Sequence, residues 1–361
     1  MVYDQELEFM KKLLEEKANL MSKFPRDPII RGSFFKFNKQ FAKLRKKKRN
    51  DFKQLILDKL DDLQSDNPKE YWSLVNSLRN DTREKPENSI DGQTWFHYFS
   101  KLSSIPNNIK DKLIIIENKI KSFEGKISSF CDLDFEISTT ELSKAISKLK
   151  SGKSPGLDNI SNEMLKVSQS YIKPCLLKLF NAVFRSGHYP DKWSQSFICP
   201  IFKSENPKKP ENYRGIAINN NIGKIFNIIL CNRFDKYLLD NQIIHESQIG
   251  FSKKARTADH IFVLKCIIDK YLKLGHKKLF AGFVDFRKAF DKVIHCGIML
   301  KLLQCNINGF FYRILKCMYS NDKLCVKINN KMTGFFTSEV GVRQGDVLSP
   351  NLLKFFINDL L

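Results

Sequence analysis

The chain has 361 residues, 42% hydrophobic and 28% charged, which is enough to bury a sizeable core and to form about two domains. Its net charge of +22 exceeds what a solvated surface needs and points to a polyanionic partner, nucleic acid or an anionic membrane face, with a merely solubilising basic surface as the alternative. The nine cysteines are odd in number and form no Cys-x-x-Cys pair, which speaks against a zinc knuckle or a disulfide framework and for reduced thiols. The N-terminus is polar where a signal peptide is apolar, and no uninterrupted apolar run reaches the roughly 18 residues of a membrane span. An intracellular protein, cytoplasmic or nuclear, without membrane partners is expected.

In chain order, Leu7, Met10, Leu13, Leu14 and Leu20 recur at the spacing of an amphipathic helix over about Gln5 to Met21. A basic helix is predicted next. From Lys36 to Lys53 there are nine Lys or Arg against one Asp, preceded or accompanied by Phe34, Phe35, Phe37 and Phe41. Arg45, Lys46, Lys47, Lys48 and Arg49 at its centre are candidates for a phosphate-backbone contact with aromatics available for stacking, or equally a solvated helix face. Asn80 to Gln93 is turn-rich and reads as a linker or exposed loop. Ser138-Thr-Thr-Glu141 is a capping box opening a helix with Leu142, Ala145, Ile146 and Leu149 on one face, stopping at Gly152.

From there short apolar runs alternate with helical patterns, so an α+β or α/β domain is expected. Phe197 to Phe202 is predicted as a strand, and Gly223 to Asp240 and Thr257 to Leu274 as helices. Leu279-Phe-Ala-Gly-Phe-Val-Asp-Phe286 is the best strand pattern in the chain and ends on an acid. A helix over about Asn308 to Tyr319, paired strands Leu324 to Ile328 and Phe335 to Val340, and a helix from about Pro350 complete the pattern.

Three segments carry chemistry. A carboxylate at a strand tip, Asp285, is costly unless it meets solvent, a base or a cation, and hard divalent ions in phosphoryl-transfer sites take few protein carboxylates. It stands in Phe283-Val-Asp-Phe-Arg-Lys-Ala-Phe-Asp291, where Asp291 reads equally as a helix N-cap. Gly341-Val-Arg-Gln-Gly-Asp-Val-Leu-Ser-Pro350 joins a glycine turn to a helix start, and Gly345 lacks a Cβ that would block approach to the backbone. Ile198-Cys-Pro-Ile-Phe-Lys203 is followed by Asn212-Tyr-Arg214, where Lys203 or Arg214 alone carries little weight in a chain with 61 basic residues.

Together, and in this order, these segments resemble the motifs of reverse transcriptases of non-LTR (LINE-type) retrotransposons, with further matches at Lys153-Ser-Pro-Gly-Leu-Asp158, Glu163-Met-Leu165, Gln248-Ile-Gly-Phe251 and Thr257-Ala-Asp259. The resemblance covers about Ser151 to Leu361; before it, Trp72, Trp95 and His97 suggest only the family's linker. It implies an α+β fold, a right-hand polymerase with fingers and a partial palm and a helical basic N-terminal extension, divided as residues 1–135 and 136–361. It implies RNA-directed DNA polymerisation, a nucleotidyl transfer from dNTPs to a DNA primer on an RNA template with Mg²⁺. Asp285 would be the catalytic metal ligand, with the Phe286 carbonyl beside it. Lys203 and Arg214 would hold the triphosphate, Phe290 would lie under the sugar as a gate against a 2′-hydroxyl, and Gln344 with Gly345 would hold nucleotide and template.

Ser252 and Arg256 depart from the family's usual Arg and Ser, which bears on fine template contacts. The family's second acidic motif is expected after Leu361, so that this polypeptide alone is expected to be inactive; thumb and endonuclease are likewise not in it. A noncatalytic nucleic-acid-binding remnant and a group II intron maturase-like enzyme are the competing readings.

Overall fold

The computed structural model describes residues 5–78, 90–124, 132–252, 256–273 and 278–360. The chain divides into two compact units, Met1–Glu84 and Lys85–Leu361.

The first unit is helical. Helix α1 (Gln5–Lys23) packs on the long α2 (Pro28–Asp66), and α2 meets α3 (Pro68–Leu78). Helix α2 starts where the sequence provides both a cap and a stiff first turn: Asp27 accepts from the Ile29 amide at 2.8 Å, and Pro28 fixes φ without a wasted donor. Phe34, Phe37 and Phe41 are half-buried, with Lys17 of α1 over the Phe37 ring at 4.7 Å; Phe35 is exposed. In the basic stretch, Lys48 is paired with Glu6 of α1 at 2.8 Å, while Arg45, Lys46, Lys47 and Arg49 face solvent.

The second unit is mixed α and β. Helices α4 (Gly92–Leu102), α5 (Lys110–Glu124), α6 (Thr139–Ser147), α7 (Asn162–Val167) and α8 (Gln169–Ser186) lead to strands β1 (Gln195–Phe202) and β2 (Tyr213–Asn219). Helices α9 (Asn221–Asp240), α10 (Thr257–Lys273), α11 (His295–Gln304) and α12 (Phe310–Ser320) follow, then β3 (Lys323–Ile328), β4 (Lys331–Met332), β5 (Phe336–Thr337) and α13 (Ser349–Ile357). The sheet runs β2-β1-β3-β4 with β5 also on β3. The pairs β1–β2, β3–β4 and β3–β5 are antiparallel, and β1–β3 is parallel.

The capping box forms as the sequence predicts: Ser138 Oγ accepts from the Glu141 amide and the Glu141 carboxylate takes the Ser138 amide. A helical core gathers Phe180, Phe184, Phe226, Phe234, Phe311 and Phe355, and a second core lies between α4 and the sheet.

Two expectations change. The units separate between Glu84 and Lys85 rather than near residue 135, because α4 and α5 pack onto the second unit: α5 lies on α11 and the fully buried Trp95 of α4 meets Tyr213 edge-on at 4.9 Å. The expected linker lies mostly outside the described residues, and at its end Asp91 caps α4, which starts at Gly92. The other change concerns residues 279–286. They are not laddered to any strand, and Phe280 (88%), Phe283 (84%) and Val284 (84%) stand exposed. β-propensity describes fit to a pleated surface with neighbours, and no strand among the described residues lies beside this segment.

Among the described residues the cysteines are free thiols, and no helix is long and apolar enough to cross a membrane.

Truncating Trp95 to Ala removes the centre of the α4–sheet core and should cost about 3–5 kcal/mol of the second unit's stability, read by denaturant unfolding.

Candidate functional site

The β1–β2 hairpin decides how Lys203 and Arg214 stand. Phe202 pairs with Tyr213 and Ile201 with Arg214, and the Lys203 amide donates to the Asn212 carbonyl at 2.9 Å. Strand alternation then sends Phe202 and Tyr213 into the α4 core and puts Lys203 and Arg214 together on the opposite, exposed face. The neighbouring motif residues close the loop between the strands. Asn212 Nδ2 donates to the Asn206 carbonyl at 3.1 Å and the Tyr213 hydroxyl to the Pro207 carbonyl at 2.8 Å.

The loop carrying Gln344 and Gly345 is anchored from three directions. The Ala217 amide of β2 donates to the Gln344 carbonyl at 2.7 Å. Gly345 follows at φ +120, and a Cβ there would sit 2.6 Å from the Ala217 carbonyl oxygen, so only glycine fits. On one side of the pair, Arg343 is buried and donates to the Asp322 carboxylate and the Ser194 carbonyl. Burial opposes its charge, but Asp322, with Tyr189 and Asp346 adding to it, holds the guanidinium above its ordinary range. On the other side, Asp346 accepts from Asn219 at 2.6 Å and from Asn227 of α9 at 2.9 Å.

The third side is the segment after Asp285. The Val342 amide donates to the Phe290 carbonyl at 2.8 Å and the Gly341 amide to the Val293 carbonyl at 2.7 Å. Phe290 lies in a 3₁₀ turn, Phe290–Lys292, its ring edge-on to Phe251 at 5.9 Å. Asp291 is in that turn and does not cap α11, whose cap position is Ile294; burial raises its carboxyl and Lys288 and Lys292 oppose the shift. Phe290, Gln344, Gly345 and β2 are thus joined by backbone hydrogen bonds. Asp285 and Phe286 belong to the exposed, unladdered part of the same segment. Among the described residues, no three His, Cys, Asp or Glu side chains group as a cation site.

Residues 206–361 match the family described as reverse transcriptase (RNA-dependent DNA polymerase). That stretch of the chain is similar to a reverse transcriptase domain. It is 29% identical over 226 residues to the probable RNA-directed DNA polymerase from transposon BS of Drosophila melanogaster, covering 62% of this chain and 25% of the relative. Similarity to the RNA-directed DNA polymerase from mobile element jockey of Drosophila funebris is 26% over 227 residues, 62% and 24% of the two chains. To the Pol polyprotein from type-1 retrotransposable element R1 of Bradysia coprophila it is 26% over 231 residues, 63% and 22%. The chain spans about a quarter of the length of these relatives.

The second unit also holds functional candidates, of which the sequence motifs single out only Lys153. A groove of about 840 Å³ opens beside Gly345 between β2, α9 and the 345–351 loop, with Lys148, Lys150, Lys153 and Lys224 on its wall and Ile216 and Val347 among its apolar lining. Burial lowers the Lys224 ammonium, Asp346 opposes this and Lys153 adds to it. Lys148, Lys150 and Lys153 are close in sequence, and the fold adds Lys224 from α9 to them. Arg343 and Asp346 were legible as flanks of Gln344–Gly345, but their anchors, Asp322 and Asn227, come from unrelated positions.

Gly345→Ala should force the loop off β2 and break the Ala217–Gln344 hydrogen bond. The measurement is amide hydrogen exchange of Ala217, which should lose most of its protection in the variant, at a stability cost of about 1–3 kcal/mol.

Proposed function

We propose that this domain is the fingers and part of the palm of a right-hand polymerase, and that it serves RNA-directed DNA synthesis by placing a dNTP against an RNA template and a DNA primer. The observation that carries the reading is the hydrogen-bonded junction of three segments distant in sequence, Phe290 with Val342 and Gln344 with Ala217. A polymerase has to hold base, sugar and triphosphate in one fixed geometry, since most of its rate comes from positioning and charge stabilisation.

In this reading Lys203 and Arg214 receive the triphosphate on the exposed face of the hairpin, Phe290 packs under the sugar, and Gln344–Gly345 lie against the nascent base pair. The lysine-walled groove beyond Gly345 takes the template strand, phosphates on the ammonium groups and bases on the apolar floor. Asp285 with the Phe286 carbonyl is proposed as part of a Mg²⁺ ligand set. One carboxylate does not complete such a set, so no step is assigned to the ion. The reading as a binder of nucleic acid without chemistry differs in one respect: it needs no dNTP site.

Arg214→Ala and Lys203→Ala should therefore each weaken dTTP binding to a poly(rA)·oligo(dT) complex of the chain by about tenfold, the scale of one lost charged hydrogen bond. Unchanged dTTP affinity with retained hybrid binding would favour the noncatalytic reading.

The basic stretch of α2 is proposed as a separate, sequence-tolerant contact for RNA or single-stranded DNA. Replacing Arg45, Lys46, Lys47 and Arg49 by Gln should flatten the log–log salt dependence of binding by up to about 3, at about 0.7 per phosphate on single strands. Adding Lys48→Gln should change it less than the others do, because Lys48 is already held by Glu6. Titration of a single-stranded oligonucleotide at several salt concentrations measures both.

A further inference from the structure

We propose that Tyr98 is a positioning residue of the nucleotide site, and that α4, which precedes the residues matched by the reverse transcriptase family, works in that site as a strut tying β2 to the Asp285–Phe290 segment. The inference rests on the functional reading above.

Helix α4 holds β2 on both sides of Arg214. Trp95 stacks on Phe99 and meets Tyr213, and the Phe99 ring lies so close under Gly215 that a Cβ there would come within 2.5 Å of it. Tyr213 and Gly215 flank Arg214, so the backbone that carries the guanidinium is fixed by this helix. The C-terminal end of α4 reaches the strand entering the Gln344 loop. There the Ser103 carbonyl accepts from the Glu339 and Val340 amides at 2.9 and 3.2 Å, and the Glu339 carboxylate takes the Ile105 amide at 2.9 Å.

Tyr98 supplies the third attachment. Its hydroxyl accepts from Lys288 Nζ at 2.9 Å, the ammonium lying 4.9 Å from the ring centroid. Lys288 is where the segment bends. Its φ is +57, the left-handed region that a residue with a Cβ enters only where its surroundings hold it there. Before it comes the unladdered stretch with Asp285; after it comes the 3₁₀ turn with Phe290. The bend therefore sets the direction of the carboxylate relative to the aromatic ring, and Tyr98 grips the side chain of the bent residue. Helix α4 and the residues just after it, Ser103 and Ile105, thus contact the hairpin with Arg214, the approach to Gln344 and the turn between Asp285 and Phe290. Tyr98 touches neither nucleotide nor template; it acts through Lys288.

The test uses the full chain, Mg²⁺, dTTP and a poly(rA)·oligo(dT) hybrid, together with lysine acylation read by mass spectrometry. Tyr98→Phe keeps the ring and removes the acceptor. It should weaken dTTP binding by about tenfold with unchanged melting temperature and hybrid affinity, and raise acylation of Lys288. Phe96→Leu trims the same helix against Phe336 and should lower the melting temperature while leaving dTTP affinity alone. Because the two residues act as one, Tyr98→Phe combined with Lys288→Met should bind dTTP no more weakly than the weaker single variant. A Tyr98→Phe chain that binds dTTP as the parent does, or a double variant whose losses add, overturns the role of Tyr98. A parent chain that binds hybrid but no dTTP overturns the proposed function itself and the positioning role with it.

Discussion

The approach of one backbone loop to one strand governs the geometry of this domain. Gln344 offers its carbonyl to the Ala217 amide, and Gly345 then passes so close to the Ala217 carbonyl that any side chain would collide with it. A loop in that position needs its other polar groups satisfied away from water, since buried unpaired groups cost as much as a lost hydrogen bond. The flanking residues do this. Arg343 turns inward to Asp322 and the Ser194 carbonyl, Asp346 turns to Asn219 and Asn227, and the amides of Gly341 and Val342 go to Val293 and Phe290. What remains facing outward is Gln344, half-buried, and Gly345, exposed.

The inward charges are an expensive way to hold a loop. With side chains only 5% and 1% exposed, Arg343 and Asp322 lose most of their hydration, and such pairs seldom outdo a hydrophobic replacement in stability. Their effect here is directional. A guanidinium has donors in a fixed plane, so a pair that also reaches the Ser194 carbonyl sets the orientation of the backbone between Val342 and Gln344, which apolar packing would leave less defined. Asn219 serves both flanks, taking Arg343 Nη1 at 3.4 Å and donating to Asp346, which couples the two anchors to β2.

Elsewhere the second unit is held by apolar packing, and its exposed apolar surface is uneven. Helix α10 has no buried residue, and Ile261 and Phe262 stand exposed, as do Phe280, Phe283 and Val284 of the unladdered segment. This contrasts with α9, where Ile225, Phe226, Leu230 and Phe234 are fully buried. The apolar periodicity of α10 in sequence is as good as that of its neighbours, so periodicity reports capacity for burial and not burial itself.

Local chemistry was legible from the sequence alone: the capping box at Ser138, the helices α9, α10 and α12, the strands β1 and β3, and the motif residues Lys203, Arg214, Phe290, Gln344 and Gly345 in their order. The cap, helices and strands follow from periodicity, turn residues and short-range hydrogen bonds, which act over a few positions and so leave a local pattern, whereas the motif residues were singled out by their resemblance to a family's motifs. Beyond the pairing of β3 with β5, which the sequence pattern also suggested, the tertiary structure decided pairing and partnership. Residues 279–286 have the composition of a strand, yet a ladder requires a second segment, and none of the described strands lies beside them. The reach of α4 onto β2, the tie from Tyr98 to Lys288, the burial of Arg343 with Asp322 and the placing of Lys224 across a groove from Lys148, Lys150 and Lys153 all join separate stretches of the chain. No spacing rule encodes such contacts, because they are set by where whole elements pack and not by the residues next to them.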